Sequence, residues 1–328
     1  MKSKKEIKEE IFGLTVSSLP DHVENPGEII ANIIEGTSVL GKLVPMTGAK
    51  ANTQVQLNIL NTDVTWSSAD CVSAQTGDNT VITDRYVNVV RLSDREEMCL
   101  DLLDSKLGMI QSAGSRNEDL PFAAMYIDFK VNKNSKQLNK LAWQGSIASG
   151  TANLALADGW LEIASTETGS LNHYASGEVY NAATAIDVVR ANFIANRSED
   201  MIENGDLVVF MSLGNYNTLS TAIIDAFGIA GTGSFLNSGD QNQLGLYEMI
   251  FPGSDVVIKG DSGLPADAMF STTISNLRYA TDLESDRESV ELFYDRYHNA
   301  LVSNIVFAIG FQYEFPEMVT MIDGITAA

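Results

Sequence analysis

Cysteine and histidine are scarce in this chain, which limits the chemistry it can perform. Its two cysteines, Cys71 and Cys99, lie far apart without the spacing of metal ligands, so we expect reduced thiols. The three histidines, His22, His173 and His298, are isolated from one another, which favours structural roles. The Gly-x-Ser-x-Gly, His-Glu-x-x-His and Cys-x-x-Cys signatures are also missing. The sequence therefore assigns no catalytic, cofactor-binding or metal-binding residue, and we expect a protein that is not an enzyme.

Positive charge and long apolar runs are the other deficits. The chain has 21 lysines and arginines against 43 aspartates and glutamates, a formal net charge of -22. Since phosphate binding depends on clustered lysine and arginine, this balance argues against a general nucleic-acid binder, although the protein could border nucleic acid. No apolar run approaches the ~18 residues of a membrane-span candidate, and the first ten residues lack the apolar core of a signal peptide. We expect a protein that contacts no membrane and stays in the cytoplasm where it is made.

The residues that are present suffice for a large hydrophobic core. Apolar residues make up 45% of the 328-residue chain and charged residues 20%, as in ordinary globular proteins. This length exceeds the size at which single cores usually stop growing. The totals therefore predict two domains or one elaborated domain.

A long amphipathic segment at residues 120–163 organises the predicted fold. Its first part carries an apolar face at the helical period of 3.6 residues. The residues of that face are Leu120, Ala124, Ile127, Val131, Leu138 and Leu141. Such a helix would be about 35 Å long and would act as a spine. Residues 132–135 are poor interior helix formers and mark a candidate kink.

Three lysines lie on the other face of the predicted spine. Lys133, Lys136 and Lys140 follow one another at helical spacing. The simpler interpretation is a solvated helix face. The alternative is a contact with an acidic neighbour or with packaged nucleic acid.

Residues 1–45 are interpreted as an arm of mixed charge with a short helix at residues 27–34. Residues 36–42 (GTSVLGK) spell most of a phosphate-binding loop. However, Leu43 stands where the magnesium-binding hydroxyl should be, and a predicted helix precedes the loop instead of a strand. We therefore do not expect nucleotide binding here.

A long hairpin is predicted between residues 54 and 91. Residues 54–66 and 80–91 are rich in Val, Ile, Thr and Tyr, and a polar tip at residues 67–79 separates them. Strands of this length form a ribbon about 40 Å long, and an isolated two-stranded ribbon is marginally stable in water. Its apolar residues therefore need a partner, most simply a second copy of the same protein.

The remaining pattern alternates helices and strands, which favours a mixed α/β body. Helices are predicted at residues 93–107, 182–203 and 215–227, strands at 207–211, 255–258 and 266–273, and a mobile surface loop at 228–245. The first of these helices depends on a capping signature formed by Ser93 and Glu96.

The end of the chain has the strict alternation of a strand. Residues 307–315 carry aromatic or β-branched side chains at every second position, so one face must be buried, and residues 290–297 are the expected antiparallel neighbour. An acidic run precedes this pair and consists of Asp282, Glu284, Asp286, Glu288 and Glu291. A divalent cation is one interpretation, but the run lacks the pattern of a calcium loop, so solvated charge is the simpler one.

Three short motifs resemble those of a known family. They are residues 141–145 (LAWQG), 157–161 (ADGWL) and 311–317 (FQYEFPE). Together with the order of elements, they resemble the major capsid proteins of tailed bacteriophages, which share the Hong Kong 97-like fold. The resemblance implies an α+β fold that spans nearly the whole chain.

The resemblance also implies a division of the chain. Its parts would be an N-terminal arm at 1–45, an extended hairpin loop at 46–92, a peripheral domain with the spine helix at 93–142, an α/β axial domain at 143–284, and return strands of the peripheral domain at 285–328. The hairpin would lie over a neighbouring subunit. No crosslinking pair of Lys and Asn can be matched to the family.

The function implied by the resemblance is self-assembly into hexamers and pentamers of an icosahedral capsid around double-stranded DNA. The expected partners are further copies of the chain, a scaffolding protein, a portal, a maturation protease and a decoration protein. Packaged DNA would lie on the inner face without sequence-specific binding. The protein would be assembled in the host cytoplasm and found in the virion.

Two alternatives stay open from the sequence. One is a nanocompartment shell protein of the same fold. The other is an α/β enzyme with an acidic active site, which the acidic loops permit but no spacing supports. A deep pocket with converging titratable groups would distinguish the enzyme from a shell protein.

Overall fold

Two mixed sheets, a separate ribbon and one long helix organise the fold. The computed structural model describes residues 26–50, 53–62, 80–99, 122–235, 247–282, 289–295, 297 and 300–326. Its α-helices are α1 (Pro26–Glu35), α2 (Phe122–Gln144), α3 (Trp160–Thr166), α4 (Ala185–Val189), α5 (Glu199–Asn204) and α6 (Leu213–Phe235). Helix α4 continues into a π-helical turn at Arg190–Ile194. Short 3-10 turns lie at Leu40–Lys42, Ile147–Ser149, Ile274–Asn276 and Pro316–Met318.

The strands form three sheets. Their bounds are β1 Pro45–Thr47, β2 Gln54–Thr62, β3 Thr80–Asn88, β4 Val90–Cys99, β5 His173–Ser176, β6 Leu207–Ser212, β7 Glu248–Ile250, β8 Val257–Asp261, β9 Met269–Thr273, β10 Leu277–Thr281, β11 Ser289–Asp295, β12 Ala300–Tyr313 and β13 Thr320–Asp323. The first sheet has the order β1-β10-β12-β11, with β4 also paired to β12. The second has the order β5-β13-β9-β6-β8-β7, and β2 and β3 form the antiparallel ribbon.

Strand β12 is the centre of the first sheet. Its 14 residues pair with β4, β10 and β11, all antiparallel. Phe307, Ile309 and Phe311 are buried in the main hydrophobic core, as the alternating pattern predicted. The intervening Ala308 is also buried, because residues of the ribbon pack over that side of the sheet. The strand is thus covered on both faces.

Helix α2 is the predicted spine, and we call it the spine helix. It is helical without interruption through residues 132–135, so these residues do not end the helix. Ser135 lies 2.8 Å from the carbonyls of both Val131 and Ile33, so its hydroxyl holds α1 against the spine while staying within the helix. Ile30 and Ile33 of α1 are fully buried in the same core, which confirms the predicted short helix. Among the described residues, no helix has the length and apolarity needed to cross a bilayer.

A second hydrophobic core lies around strand β6. Its six residues are all buried, as expected for a central strand flanked by β8 and β9. Val189, Phe193 and Leu219, from α4, the π-helical turn and α6, pack into this core. The predicted strands near 257–261 and 269–273 are confirmed with shifted bounds.

The helix predicted at residues 93–107 is wrong where the structure describes it. Residues 90–99 form β4, which pairs with Ala300–Ile309 of β12 along its whole length. Leu92 is buried while Arg91 and Ser93 are exposed, so the alternation of a strand is present. Ten residues of sheet pairing outweigh a capping signature worth about 1 kcal/mol. Residues 100–107 lie outside the described residues.

The helix predicted at residues 182–203 is also wrong as a single element. Asn192 donates from Nδ2 to the Val188 carbonyl at 3.0 Å, and the chain widens into the π-helical turn there. The helix then stops, and Ser198 caps the separate helix α5 by accepting from the backbone of Met201. A side chain that competes for backbone groups thus breaks the predicted helix.

Two surface predictions also fail. Residues 228–235, predicted as loop, extend helix α6, because a helix already nucleated at residues 213–226 can absorb the ~1 kcal/mol cost of each glycine. Asp282 of the acidic run is buried with 4% exposure instead of solvated, since it directly follows the buried strand β10. Glu284, Asp286 and Glu288 lie outside the described residues, as do Cys71, His22 and His298.

Candidate functional site

The three motifs of the sequence meet at one place in the fold. The backbone of Gly159 donates to the Gly145 carbonyl at 2.8 Å, so the two glycine turns cross in direct contact. A Cβ on Gly159 would lie 2.7 Å from the carbonyl oxygens of Leu141 and Ala142. Only glycine fits at this crossing, because the backbone of each segment occupies the space that a side chain of the other segment would need.

Two tryptophans lie next to the crossing and contact each other. The rings of Trp143 and Trp160 are 4.9 Å apart in an edge-to-face arrangement. Trp143 contacts Phe210 and Phe270 of the second sheet at 5.1 and 5.6 Å. Trp160 contacts Phe311 at 5.6 Å. We call Gly145, Gly159, Trp143 and Trp160 the motif node. Its ring contacts pack the spine helix against both sheets.

The base of the ribbon packs on the first sheet beside the motif node. Leu57, Val87 and Val89 are buried against Ala280 and Ala308. A Cβ on Gly310 would collide with the Asn88 carbonyl, so strand β12 needs glycine where the ribbon crosses it. The ribbon therefore has a defined root, and its two nine-residue strands extend about 30 Å from end to end.

A charged side chain sits at this root. The guanidinium of Arg85 lies 2.7 Å from Glu167 Oε2 and 4.7 Å above the ring of Tyr313. The Tyr313 hydroxyl donates to the same Glu167 oxygen at 2.9 Å. Burial, followed by the charge of Glu167, raises the pKa of Tyr313, which therefore stays protonated and able to donate. We call Arg85, Glu167, Gln312 and Tyr313 the root clamp.

A buried polar bridge joins the turn after α1, the spine helix and the second sheet. Asp261 is fully buried and accepts from Asn139 Nδ2 at 2.6 Å and from the Gly263 backbone at 2.7 Å. Ser38 donates to its other carboxylate oxygen, and Lys259 Nζ donates to the Ser38 carbonyl at 2.5 Å. Asp261 is therefore satisfied by three separate segments, as a buried charge requires.

Lys259 predicts a pH dependence of stability. Burial, with help from the charge of Lys42, lowers its pKa below the ordinary 10.5, while Glu248 and Asp261 oppose the shift. The unfolded chain therefore binds more protons than the folded chain in the alkaline range below 10.5, so this lysine makes stability rise with pH there. We expect Lys259→Met to reduce that rise in urea unfolding measured between neutral and alkaline pH.

The matched control for this prediction is Lys140→Met, which removes an exposed lysine from the spine helix. Its unfolding free energy should follow the parent at each pH. An unchanged alkaline slope in Lys259→Met would contradict the assigned direction of the shift.

The acidic contact of the spine helix is made by a lysine that the sequence analysis did not single out. Lys130 is 9% exposed and lies 3.1 Å from Asp94 and 2.5 Å from Glu96 of β4. The three predicted lysines 133, 136 and 140 are exposed instead. Lys133 lies 5.3 Å above the ring of the exposed Phe129. Both interpretations of this face, a solvated surface and a contact with an acidic neighbour or with nucleic acid, stay predictions, since the structure holds a single chain.

The sequence that resembles a phosphate-binding loop has a packing role. Its lysine, Lys42, lies 2.7 Å from Glu248 in an ion pair. A Cβ on Gly36 would lie 2.6 Å from Ser135 Oγ, and one on Gly41 would lie 2.9 Å from the Glu35 carbonyl. Close packing of α1 against the spine helix thus explains Gly36, and close packing of the turn on the C-terminal end of α1 explains Gly41.

One cavity of about 320 Å³ lies next to the motif node. Its lining includes the carboxylates of Glu162, Asp267 and Asp323. Ser165 of this lining donates to the Glu162 carbonyl at 2.8 Å and not to a carboxylate, so its hydroxyl is not arranged as a nucleophile beside a base. Within the described ranges, no group of three or more His, Cys, Asp or Glu residues is placed to hold a metal ion.

Comparison with solved structures identifies proteins of similar fold. No protein-family model matches the chain, and no curated protein matches it. Among solved structures, a chain of the satellite phage P4 procapsid including size determination (Sid) protein superposes with a TM-score of 0.60 at 13% identity, covering 100% of this chain and 99% of that chain. The cyanophage A-1(L) capsid asymmetric unit gives 0.56 at 13% identity, over 96% and 98%. A Microbacterium phage Oxtober96 chain gives 0.53 at 12% identity, over 88% and 91%.

The chain therefore has the fold of tailed-phage major capsid proteins. This confirms the resemblance drawn from the three motifs at the level of the fold. Sequence reasoning missed Arg85, Lys130 and Asp261, whose roles depend on partners more than thirty residues away. The signal available for Arg85 was its position on an alternating strand, two residues before the buried Val87.

Proposed function

We propose that this protein is the major capsid protein of a tailed bacteriophage, and that it assembles with itself into hexamers and pentamers of an icosahedral shell around double-stranded DNA. The observation that supports this most is the superposition on a P4 procapsid chain over the full length of both chains. A match of that extent includes the ribbon and the spine as well as the central sheets.

In this proposal the chain follows the Hong Kong 97-like division given above. Residues 1–45 are the arm, 46–92 the extended loop, and 93–142 the peripheral domain, which strands β11 and β12 of residues 285–328 complete. Strand β13 lies in the same range but pairs with β5 and β9 of the second sheet. Strand β10 lies in the first sheet although it falls within residues 143–284. Residues 143–284 are the axial domain at the centre of each capsomer. The separate core around β6 supports an axial unit, and the pairing of β4 with β12 supports the return of the C-terminal strands to the peripheral domain.

The ribbon is the proposed contact between subunits. In the described chain it forms its own two-stranded sheet, anchored through buried residues at its root. Long ribbons gain stability by packing on another surface, and a capsid offers the adjacent subunit for this. Further partners in this proposal are a scaffolding protein, a portal, a maturation protease and a decoration protein. The packaged DNA lies on the inner face without sequence-specific binding.

Electron microscopy tests the proposal. The protein would be produced alone and together with the products of neighbouring genes, then imaged by negative stain and sized by light scattering. Shells, rings or capsomers would support it, and a strictly monomeric protein under both conditions would contradict it. Closed shells that hold an enzyme in place of DNA would favour the nanocompartment alternative.

Truncation of the ribbon gives a sharper prediction. Asn58 and Asp84 are cross-strand partners, so residues 59–83 can be replaced by an Asn-Gly turn that closes a short hairpin. The root residues Leu57, Val87 and Val89 remain. We expect a folded subunit with an unchanged circular dichroism spectrum and no shells. Shells of normal yield would show that the ribbon is not the subunit contact.

A further inference from the structure

The root clamp also bears on how subunits assemble, and this role in assembly rests on the proposed function. We propose that Arg85 is a positioning residue that fixes the direction in which the ribbon leaves the body, and that this direction sets the curvature of the assembled shell. Arg85 lies on β3, two residues before the buried root residue Val87.

The burial of Arg85 makes its contacts obligatory. Only 11% of the side chain is exposed, whereas the next residue, Tyr86, is 45% exposed. A buried guanidinium must be paired, and the carboxylate of Glu167 is its charged partner at 2.7 Å. Gln312 Oε1 accepts from the same nitrogen at 3.3 Å. The cation therefore has one site on the body into which it fits.

The acceptors of the clamp also have contacts within the body. Trp160 Nε1 donates to the Gln312 carbonyl at 3.1 Å, which ties the backbone of this residue to the motif node. Tyr313 is fully buried and donates to Glu167, whose backbone closes the C-terminal end of α3 by donating to Ala164. The body thus supplies the carboxylate and the ring of the clamp, and the ribbon supplies the cation.

The other contacts of the root cannot set a direction as sharply. Leu57, Val87 and Val89 pack on the small side chains of Ala280 and Ala308, and apolar contact is non-directional. A planar guanidinium, by contrast, has to meet its carboxylate and its stacking ring in a fixed orientation. One further bond, from Gln312 Nε2 to the Tyr86 carbonyl at 3.1 Å, belongs to the same clamp.

One donor of the clamp is unused. Arg85 Nε is buried, and no residue in the described part of the chain accepts a hydrogen bond from it. A ribbon about 30 Å long also converts a small rotation at the root into a displacement of several ångströms at its far end.

Spin labels on the unassembled subunit measure the direction of the ribbon. Labels would be placed by Thr62→Cys on the ribbon and Ser165→Cys on α3, in a background with Cys71→Ser and Cys99→Ser. The parent should give one narrow distance peak in pulsed electron paramagnetic resonance. We expect Arg85→Met and Glu167→Gln each to lose that single peak and to give a broad distribution. Arg85→Lys, which keeps the charge but not the planar fork, should recover part of it.

Arg95→Met is the matched control, because Arg95 is 63% exposed and lies in an ion pair with Glu97 on β4. It should keep the narrow peak. A narrow peak in both Arg85→Met and Glu167→Gln would overturn the positioning role, and so would loss of folding in both variants. These measurements need no assembly, so they stand even if the proposed capsid function fails.

The shells themselves test the second half of the inference. Where the parent assembles, Arg85→Met should give shells of several diameters, or open sheets, in place of one size. Glu167→Gln should act in the same direction, and Arg95→Met should match the parent. Shells of a single parental diameter, formed by subunits with a broadened ribbon, would overturn the link to curvature.

Discussion

Trp143→Ala is expected to lower the free energy of unfolding by about 3–5 kcal/mol, within the range for truncating a buried tryptophan. The side chain is fully buried and contacts Trp160, Phe210 and Phe270 through ring pairs. Its removal would leave a cavity between the spine helix and the second sheet, where three rigid rings cannot collapse easily. Urea unfolding of unassembled subunits, followed by circular dichroism, measures the loss.

Trp143→Phe is the informative control. Trp143 Nε1 is buried, and no acceptor for it exists among the described residues, so phenylalanine removes an unpaired donor and keeps much of the ring contact. We expect a loss clearly smaller than that of Trp143→Ala, because the ring that remains leaves a smaller cavity. A loss as large as that of Trp143→Ala would contradict the view that ring packing is the stabilising interaction at this position.

Gly159→Ala is expected to cost about 3 kcal/mol, at the upper end of the range for overpacking. The added methyl group would lie 2.7 Å from two carbonyl oxygens of the spine helix and 2.9 Å from the Gly145 nitrogen. These are backbone atoms, so they cannot turn away as a flexible side chain would. The crossing would have to open, and the two tryptophans beside it would separate. Thermal unfolding and urea unfolding of the same variant measure the effect.

Gly169→Ala is the matched control for this substitution. Nothing lies within 4 Å of a Cβ at Gly169. We expect its unfolding free energy to stay within about 0.5 kcal/mol of the parent, as for ordinary surface changes. If both glycine variants were equally stable, the crossing would not be the reason for glycine at position 159.

Local patterns were sufficient for elements that depend on their own residues. The ribbon strands, the spine helix, helix α1 and the aromatic C-terminal strand all follow from periodicity and residue type. The bounds moved by a few residues, and the pairing of β2 with β3 was predictable because the two strands are adjacent in the chain.

Predictions failed where distant segments decide the structure. Residues 90–99 carry both a capping signature and an alternation, and the presence of β12 alongside selects the strand. Asp282 belongs to an acidic run for which the sequence predicts solvated side chains. It is buried nevertheless, because it directly follows the buried strand β10. For residues 90–99 the local helix preference is worth about 1 kcal/mol, and the pairing of ten residues with β12 exceeds it.

The candidate site shows the same division. The sequence by itself determined that residues 141–145, 157–161 and 311–317 are distinctive, that the chain is acidic, and that it lacks the usual catalytic signatures. Only the tertiary structure brought the three motifs together at the motif node and placed Arg85 in its socket beside Glu167 and Tyr313. Periodicity reports which face of an element is apolar, because that depends on residues a few positions apart. It carries no information about which distant backbone needs room for a glycine, or which carboxylate a buried cation will meet, since those depend on how whole elements pack.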